Sequence, residues 1–146
     1  MSVIGAGSIR IAAESGHLAE VRAFVREASE RFGASDAIAA DLVQAVDEAV
    51  CNVILHGYAG ADGEIEVAAE LRDRQIEITV FDRSGPFDPT AAAEPDLSVP
   101  PLARKPGGMG IHLVRAATDE VHHRVRADGG NELKLVRSLE PRVEEG

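Results

Sequence analysis

The chain has 146 residues, enough for one domain with a sizeable core, and 45% of them are hydrophobic, mostly Ala, Val, Leu and Ile. A formal net charge of -10, no Trp and an aromatic content of 3% exclude sequence-blind binding to nucleic-acid backbones, base-stacking platforms and adhesion to anionic membranes as first expectations. Cys51 is the only cysteine, so no internal disulfide forms; residues 1–7 carry no signal-peptide pattern, no apolar stretch nears the roughly 20 residues of a membrane span, and a cytoplasmic protein is expected.

In chain order, residues 1–7 read as a flexible N-terminus and Ser8 to Ala13 as a first strand, with Ile9 and Ile11 on one side. Leu18, Val21, Val25, Ala28 and Phe32 recur at helical spacing and predict a helix that stops at Gly33. Ser35 or Asp36 caps a second helix running to about His56, with the stripe Ile38, Leu42, Ala45, Ala49, Val53 and a break at Gly57. Glu64 to Leu71 alternates with period two, and after Arg72-Asp73-Arg74 turns the chain, Ile76, Ile78 and Val80 continue the alternation up to Phe81-Asp82, the signature of a β-hairpin.

From Arg83 to about Gly108 the periodicity disappears, and six of the seven prolines fall there. A loop of that length inside a small domain is usually functional or disordered. A short helix, Gly110 to Ala117, starts directly after Gly107-Gly108-Met109. Glu120 to Val125 and Glu132 to Leu139 form a second hairpin around Asp128-Gly129-Gly130-Asn131, and residues 140–146 are a polar tail. Strands in hairpins, with helices grouped apart, give an α+β class: a two-layer sandwich with helices on one face of a mixed, mostly antiparallel sheet. The domain occupies residues 8–139.

Four features carry chemistry. Glu48, Asn52 and His56 stand at i, i+4 and i+8 on the second helix, so they line one edge of it, and a carboxylate beside an amide oxygen suits a hydrated Mg²⁺. Alone, the same edge also fits a solvated face. Asp82 ends a strand, where a carboxylate accepts a bond from an exocyclic amine such as that of adenine, although Asp before Ser84-Gly85-Pro86 is also an ordinary turn. Gly107, Gly108 and Gly110 precede a helix start, where bare backbone N–H groups can meet phosphate oxygens; the cluster lacks the Lys-Ser/Thr ending of a Walker A loop and a surrounding βαβ unit. Arg104 and Lys105 lie just before it, within reach of a γ-phosphate. His122 and His123 are adjacent in a strand and point to opposite faces, which disfavours a shared metal.

In this order the motifs resemble the ATPase superfamily of gyrase B, the ninety-kilodalton heat-shock chaperone and sensor histidine kinases, and most of all its small branch of bacterial anti-sigma regulatory serine kinases. Asp41 to Tyr58 looks like the N box of that family, Phe81 to Pro89 like its first glycine box, and Gly107 to Ile111 like the second. The resemblance spans roughly Ile9 to Leu139. It implies a histidine-kinase-like ATPase fold that binds ATP and Mg²⁺, with an ATP lid at about residues 86–109. By position it implies Asn52 as the Mg²⁺ ligand, Glu48 as the catalytic base, and Asp82 with Gly85 against the adenine. Lys105, Gly107, Gly108, Met109, Gly110 and Ile111 would then hold the phosphates. It further implies a serine kinase that phosphorylates an anti-anti-sigma protein of the STAS type, sequesters a sigma factor and forms a homodimer; the alternative is a non-catalytic nucleotide-binding partner-switching module. One departure stands out: the family pattern has Gly two residues after the adenine-binding Asp, and this chain has Ser84, followed by Gly85 and Pro86.

Overall fold

The computed structural model describes residues 3–85 and 114–140. In chain order these form strand β1 (Val3–Ala12), a 3-10 turn (Ser15–His17), helix α1 (Leu18–Arg31), helix α2 (Asp36–Asn52) and a π-helical turn (Val53–Tyr58). Strands β2 (Glu64–Arg72) and β3 (Gln75–Asp82) follow, then a helical turn at residues 114–117, then β4 (Glu120–Val125) and β5 (Asn131–Ser138). The proline-rich loop after Gly85, the expected lid, and Lys105, Gly107, Gly108, Met109, Gly110 and Ile111 lie outside the described residues.

Each helix forms where its apolar stripe can be buried. In α1, Leu18, Val21, Val25 and Ala28 face the core. In α2, Ile38, Leu42, Ala45, Val46, Ala49 and Val50 do so, and Ser35 caps the first turn by accepting a bond from the Ile38 N–H at 3.2 Å. The strands order themselves β1-β2-β3-β5-β4 in one sheet, and all four neighbouring pairs are antiparallel. The parallel component expected of a mixed sheet is therefore absent among the described strands, because the connections here are hairpins or cross over to an antiparallel neighbour. Period-two alternation sends Ile65, Val67, Ala69, Ile76, Ile78, Val80, Leu133 and Leu135 under the helices into a single hydrophobic cluster. Burying each Ile, Val or Leu side chain among these stabilises the fold by about 1.5–3 kcal/mol. The opposite face is polar, with Arg10 paired to Glu66 and Arg124 to Glu132 across neighbouring strands.

Four boundaries differ from the sequence expectation. The first strand starts at Val3, not Ser8, so residues 3–7 are not a free terminus: β2 offers pairing partners as far as Arg72, and Ala6 and Gly7 join the ladder opposite Glu70 and Ala69 despite poor strand propensity. The second helix leaves α geometry at Asn52 and continues as a π turn. Gly57 does not break it; the chain turns at Ala59 (φ 53°) and Gly60 (φ 90°), with Ala59 N–H bonded to Ile54 C=O five residues back. The last strand begins at Asn131, which pairs with both Asp82 and Val125 rather than belonging to the turn.

The β2–β3 hairpin turns on two residues, Asp73 (φ 50°) and Arg74 (φ 61°), the twin left-handed conformation of a type I′ turn. Neither is glycine, so both hold a conformation that costs an ordinary side chain energy. The double substitution Asp73→Asn, Arg74→Gly should raise stability by about 1 kcal/mol, read as a higher urea midpoint with an unchanged slope. An unchanged or lower midpoint would mean that this turn stores no strain.

Candidate functional site

Helix α2 brings its polar edge to the site at its C-terminal end. Glu48 is half-buried and Asn52 is 9% exposed, while His56, in the π turn, is exposed. The neighbouring carboxylate, Asp47, is committed: its Oδ1 accepts from Arg22 Nε of α1 at 2.7 Å. Among the described residues no ion pair engages Glu48, and the Asn52 side chain makes no capping bond to the turn that follows it. Cys51 lies between these residues, and burial, reinforced by the Asp47 and Glu48 carboxylates, pushes its thiol pKa up.

The second half of the site is the end of β3. Asp82 is 4% exposed, and a carboxylate so buried needs donors. Its Oδ1 receives three: Ser84 N–H at 2.9 Å, Ser84 Oγ at 2.8 Å and Asn131 Nδ2 at 3.0 Å. Oδ2 receives none of them. Asn131 also donates to Gly85 C=O at 2.7 Å, and His123 Nε2 lies 3.0 Å from Asn131 Oδ1. Gly130 must lack a side chain here, because a Cβ would overlap the Asp82 carbonyl oxygen.

Two contacts join the halves. Gly57 lies so close to Ser84 that an added Cβ would sit 2.6 Å from Ser84 Oγ. Tyr58 accepts a bond at its Oη from Arg83 N–H at 2.9 Å and donates to Glu64 C=O at 2.7 Å. The end of α2 is therefore fastened to the loop leaving β3 on one side and to the start of β2 on the other. The result is an edge carrying a carboxylate (Glu48), an amide (Asn52) and a braced carboxylate (Asp82) whose Oδ2 accepts no bond among the described residues.

Of the sequence candidates, Asn52, Asp82 and Gly85 belong to elements brought together at this end of the sheet, with Glu48 one turn before Asn52. Gly85 has φ 93°, a left-handed conformation that suits glycine. The candidates between Lys105 and Ile111 lie outside the described residues, but the helix that follows them is anchored, since Val114 and Ala117 enter the core and Thr118 Oγ1 donates to Val114 C=O at 2.8 Å. Sequence reasoning missed Gly57, Tyr58, Gly130 and Asn131 as site residues. The signals present were that Gly57 and Tyr58 close the stretch resembling the N box, and that Gly130-Asn131 opens the last strand of the second hairpin. Among the described residues no three His, Cys, Asp or Glu side chains cluster to hold a metal, and His122 faces outward to Glu120 while His123 faces Asn131.

Comparison with known proteins gives a consistent result. Residues 11–137 match the model of the histidine kinase-like ATPase domain. Serine-protein kinase RsbW of Bacillus pumilus is 35% identical over 109 residues, covering 68% of this chain and 64% of that protein. Anti-sigma F factor of Clostridium acetobutylicum is 34% identical, covering 66% of each chain. Serine/threonine-protein kinase BtrW of Bordetella bronchiseptica is 29% identical, covering 68% of this chain and 70% of that one. The chain thus spans about two thirds of the length of these relatives. A crystal structure of the RsbU and RsbW domains of Rv1364c from Mycobacterium tuberculosis matches with a TM-score of 0.66 at 27% identity, over 92% of this chain and 32% of that one.

The Gly57–Ser84 contact is testable on its own. Gly57→Ala should cost about 1–3 kcal/mol of stability through overpacking, and most of that penalty should vanish in a Ser84→Gly background. Chemical denaturation of the four members of the double-mutant cycle measures the coupling; additive effects would mean that the two loops do not press on each other.

Proposed function

We propose that this chain, which belongs to the histidine kinase-like ATPase family, is an ATP-dependent protein serine kinase that also acts as an anti-sigma factor. Supporting this reading is the juxtaposition of α2's polar end with the braced Asp82 across the Gly57–Ser84 contact. Relatives bearing the names serine-protein kinase and anti-sigma F factor point the same way.

In this reading each residue has a role set by its chemistry. Asp82 Oδ2 accepts a bond from the adenine amine, and Gly85 lets the backbone pass close to the base. The Asn52 amide fits a Mg²⁺ site because it offers a neutral hard oxygen, nearly buried, with no capping bond in its own helix; bound there with the nucleotide phosphates, the ion would offset their charge. Lys105 and the backbone of Gly107, Gly108, Met109, Gly110 and Ile111 would hold the phosphates at the start of the helix anchored by Val114. Glu48, the carboxylate not tied to Arg22, takes the proton from a substrate serine as its oxygen attacks the γ-phosphorus and ADP departs.

The same reading extends to partners. The substrate serine belongs to an anti-anti-sigma protein of the STAS type, and the kinase, a homodimer in the cytoplasm, alternates between that protein and a sigma factor. Consistent with this, no helix among the described residues is long and apolar enough to cross a membrane.

Two variants separate the roles. Glu48→Ala should bind Mg²⁺-ATP as the wild type does and transfer phosphate about 10²–10⁴-fold more slowly. Asn52→Ala should lose the Mg²⁺-dependent part of nucleotide binding. The measurement is transfer of label from radioactive ATP to a purified STAS-type partner, alongside titration calorimetry. Full transfer by Glu48→Ala would remove the base assignment, and tight nucleotide binding by the wild type without any transfer would favour a non-catalytic switching module.

A further inference from the structure

We infer that Asn131 is a positioning residue that fixes the Asp82 carboxylate and thereby sets the preference for a 6-amino over a 6-oxo purine. The inference rests on the nucleotide reading of the site.

The geometry leaves Asn131 one orientation. It is 3% exposed, and its Nδ2 faces Asp82 Oδ1 at 3.0 Å and Gly85 C=O at 2.7 Å. Both are acceptors only, so the amide must turn its NH₂ toward them. Its oxygen then lies 3.0 Å from His123 Nε2, and since an amide oxygen only accepts, that nitrogen must carry the proton. His123 donates in this way whether the ring is neutral with its proton on Nε2 or charged. Asn131 is thus held on both sides by strand pairing and by side chains on β3 and β4, with its own Cα in register with Asp82.

The consequence falls on Asp82. A carboxylate at the end of a strand rotates about its last bond with little resistance. Here Asn131, with the two donors of Ser84, occupies Oδ1 and fixes the plane of the group, leaving Oδ2 as the lone pair source for a ligand. A fixed acceptor rewards a 6-amino group and repels a 6-oxo group, because the oxo form brings a second acceptor up against a buried acceptor oxygen. Ser84 cannot do this by itself, since both its bonds come from one side, from the loop that leaves β3. The donor that ties the carboxylate to a neighbouring strand is Asn131.

The test compares Mg²⁺-ADP with Mg²⁺-IDP, which carries oxygen in place of the amine, by titration calorimetry on the full chain. The wild type should prefer ADP. Asn131→Ala should bind ADP roughly tenfold more weakly and IDP within about twofold of the wild type. Asn131→Ser, which keeps one donor, should lose about threefold of the preference, and it decides the matter if the alanine variant does not fold. Equal weakening of both nucleotides, or an unchanged ADP-to-IDP ratio in the folded variants, would overturn the positioning role and leave the nucleotide site standing. A wild type that binds neither nucleotide would overturn the proposed function, and the role of Asn131 with it.

Discussion

The site depends on one close approach. The π turn after α2 lies against the loop leaving β3, and it can do so because Gly57 presents no side chain to Ser84. Tyr58, the next residue, secures the contact by bridging Arg83 N–H and Glu64 C=O. Without that approach, Asn52 would sit on a helix end with nothing opposite it, and Asp82 would be a strand-terminal carboxylate facing solvent. The π geometry belongs to the same constraint. A turn that closes five residues back widens the end of the helix just where it must reach the sheet.

The sheet supplies the opposing constraint. Antiparallel pairing of β3 with β5 puts Asn131 beside Asp82, although 49 residues separate them in sequence. Backbone contact at that point is tight enough to require Gly130. A carboxylate at 4% exposure would be costly alone, and three donors on one oxygen make its burial tolerable while leaving the other oxygen for chemistry. Ser84, where the resembled pattern has glycine, contributes two of those donors, and only its Oγ depends on the side chain. It therefore adds one bond at the end of β3 that glycine would not make.

Much of this was legible in the chain because it is written in local periodicity. The helical stripe from Ile38 to Val53 placed Glu48 and Asn52 on one polar edge, and the alternation from Ile76 to Val80 carried Asp82 to a strand end. The positions that escaped reading are those set by partners far along the chain. Asn131 looks like the last residue of a Gly-Gly-Asn turn until pairing with Asp82 draws it into β5. Gly57 reads as a helix stop because its real reason, the side chain of Ser84, lies 27 residues away. The early start of β1 has the same origin, since Ala6 and Gly7 have little preference for a strand and are recruited by β2. The sheet was expected to be mixed because hairpin signals fix only neighbouring strands, not how the outer ones close.

The most direct measurement of whether these elements form one nucleotide site is a residue-resolved titration of backbone and amide side-chain NMR signals with Mg²⁺-ADP. The expected result is a single saturable set of shifts that includes the side-chain amides of Asn52 and Asn131 and the backbone amides of Gly57, Ser84 and Gly85. Shifts confined to the opposite face of the sheet, around Arg10 and Glu66, or no saturable shifts at all, would contradict a nucleotide held between α2 and the end of β3.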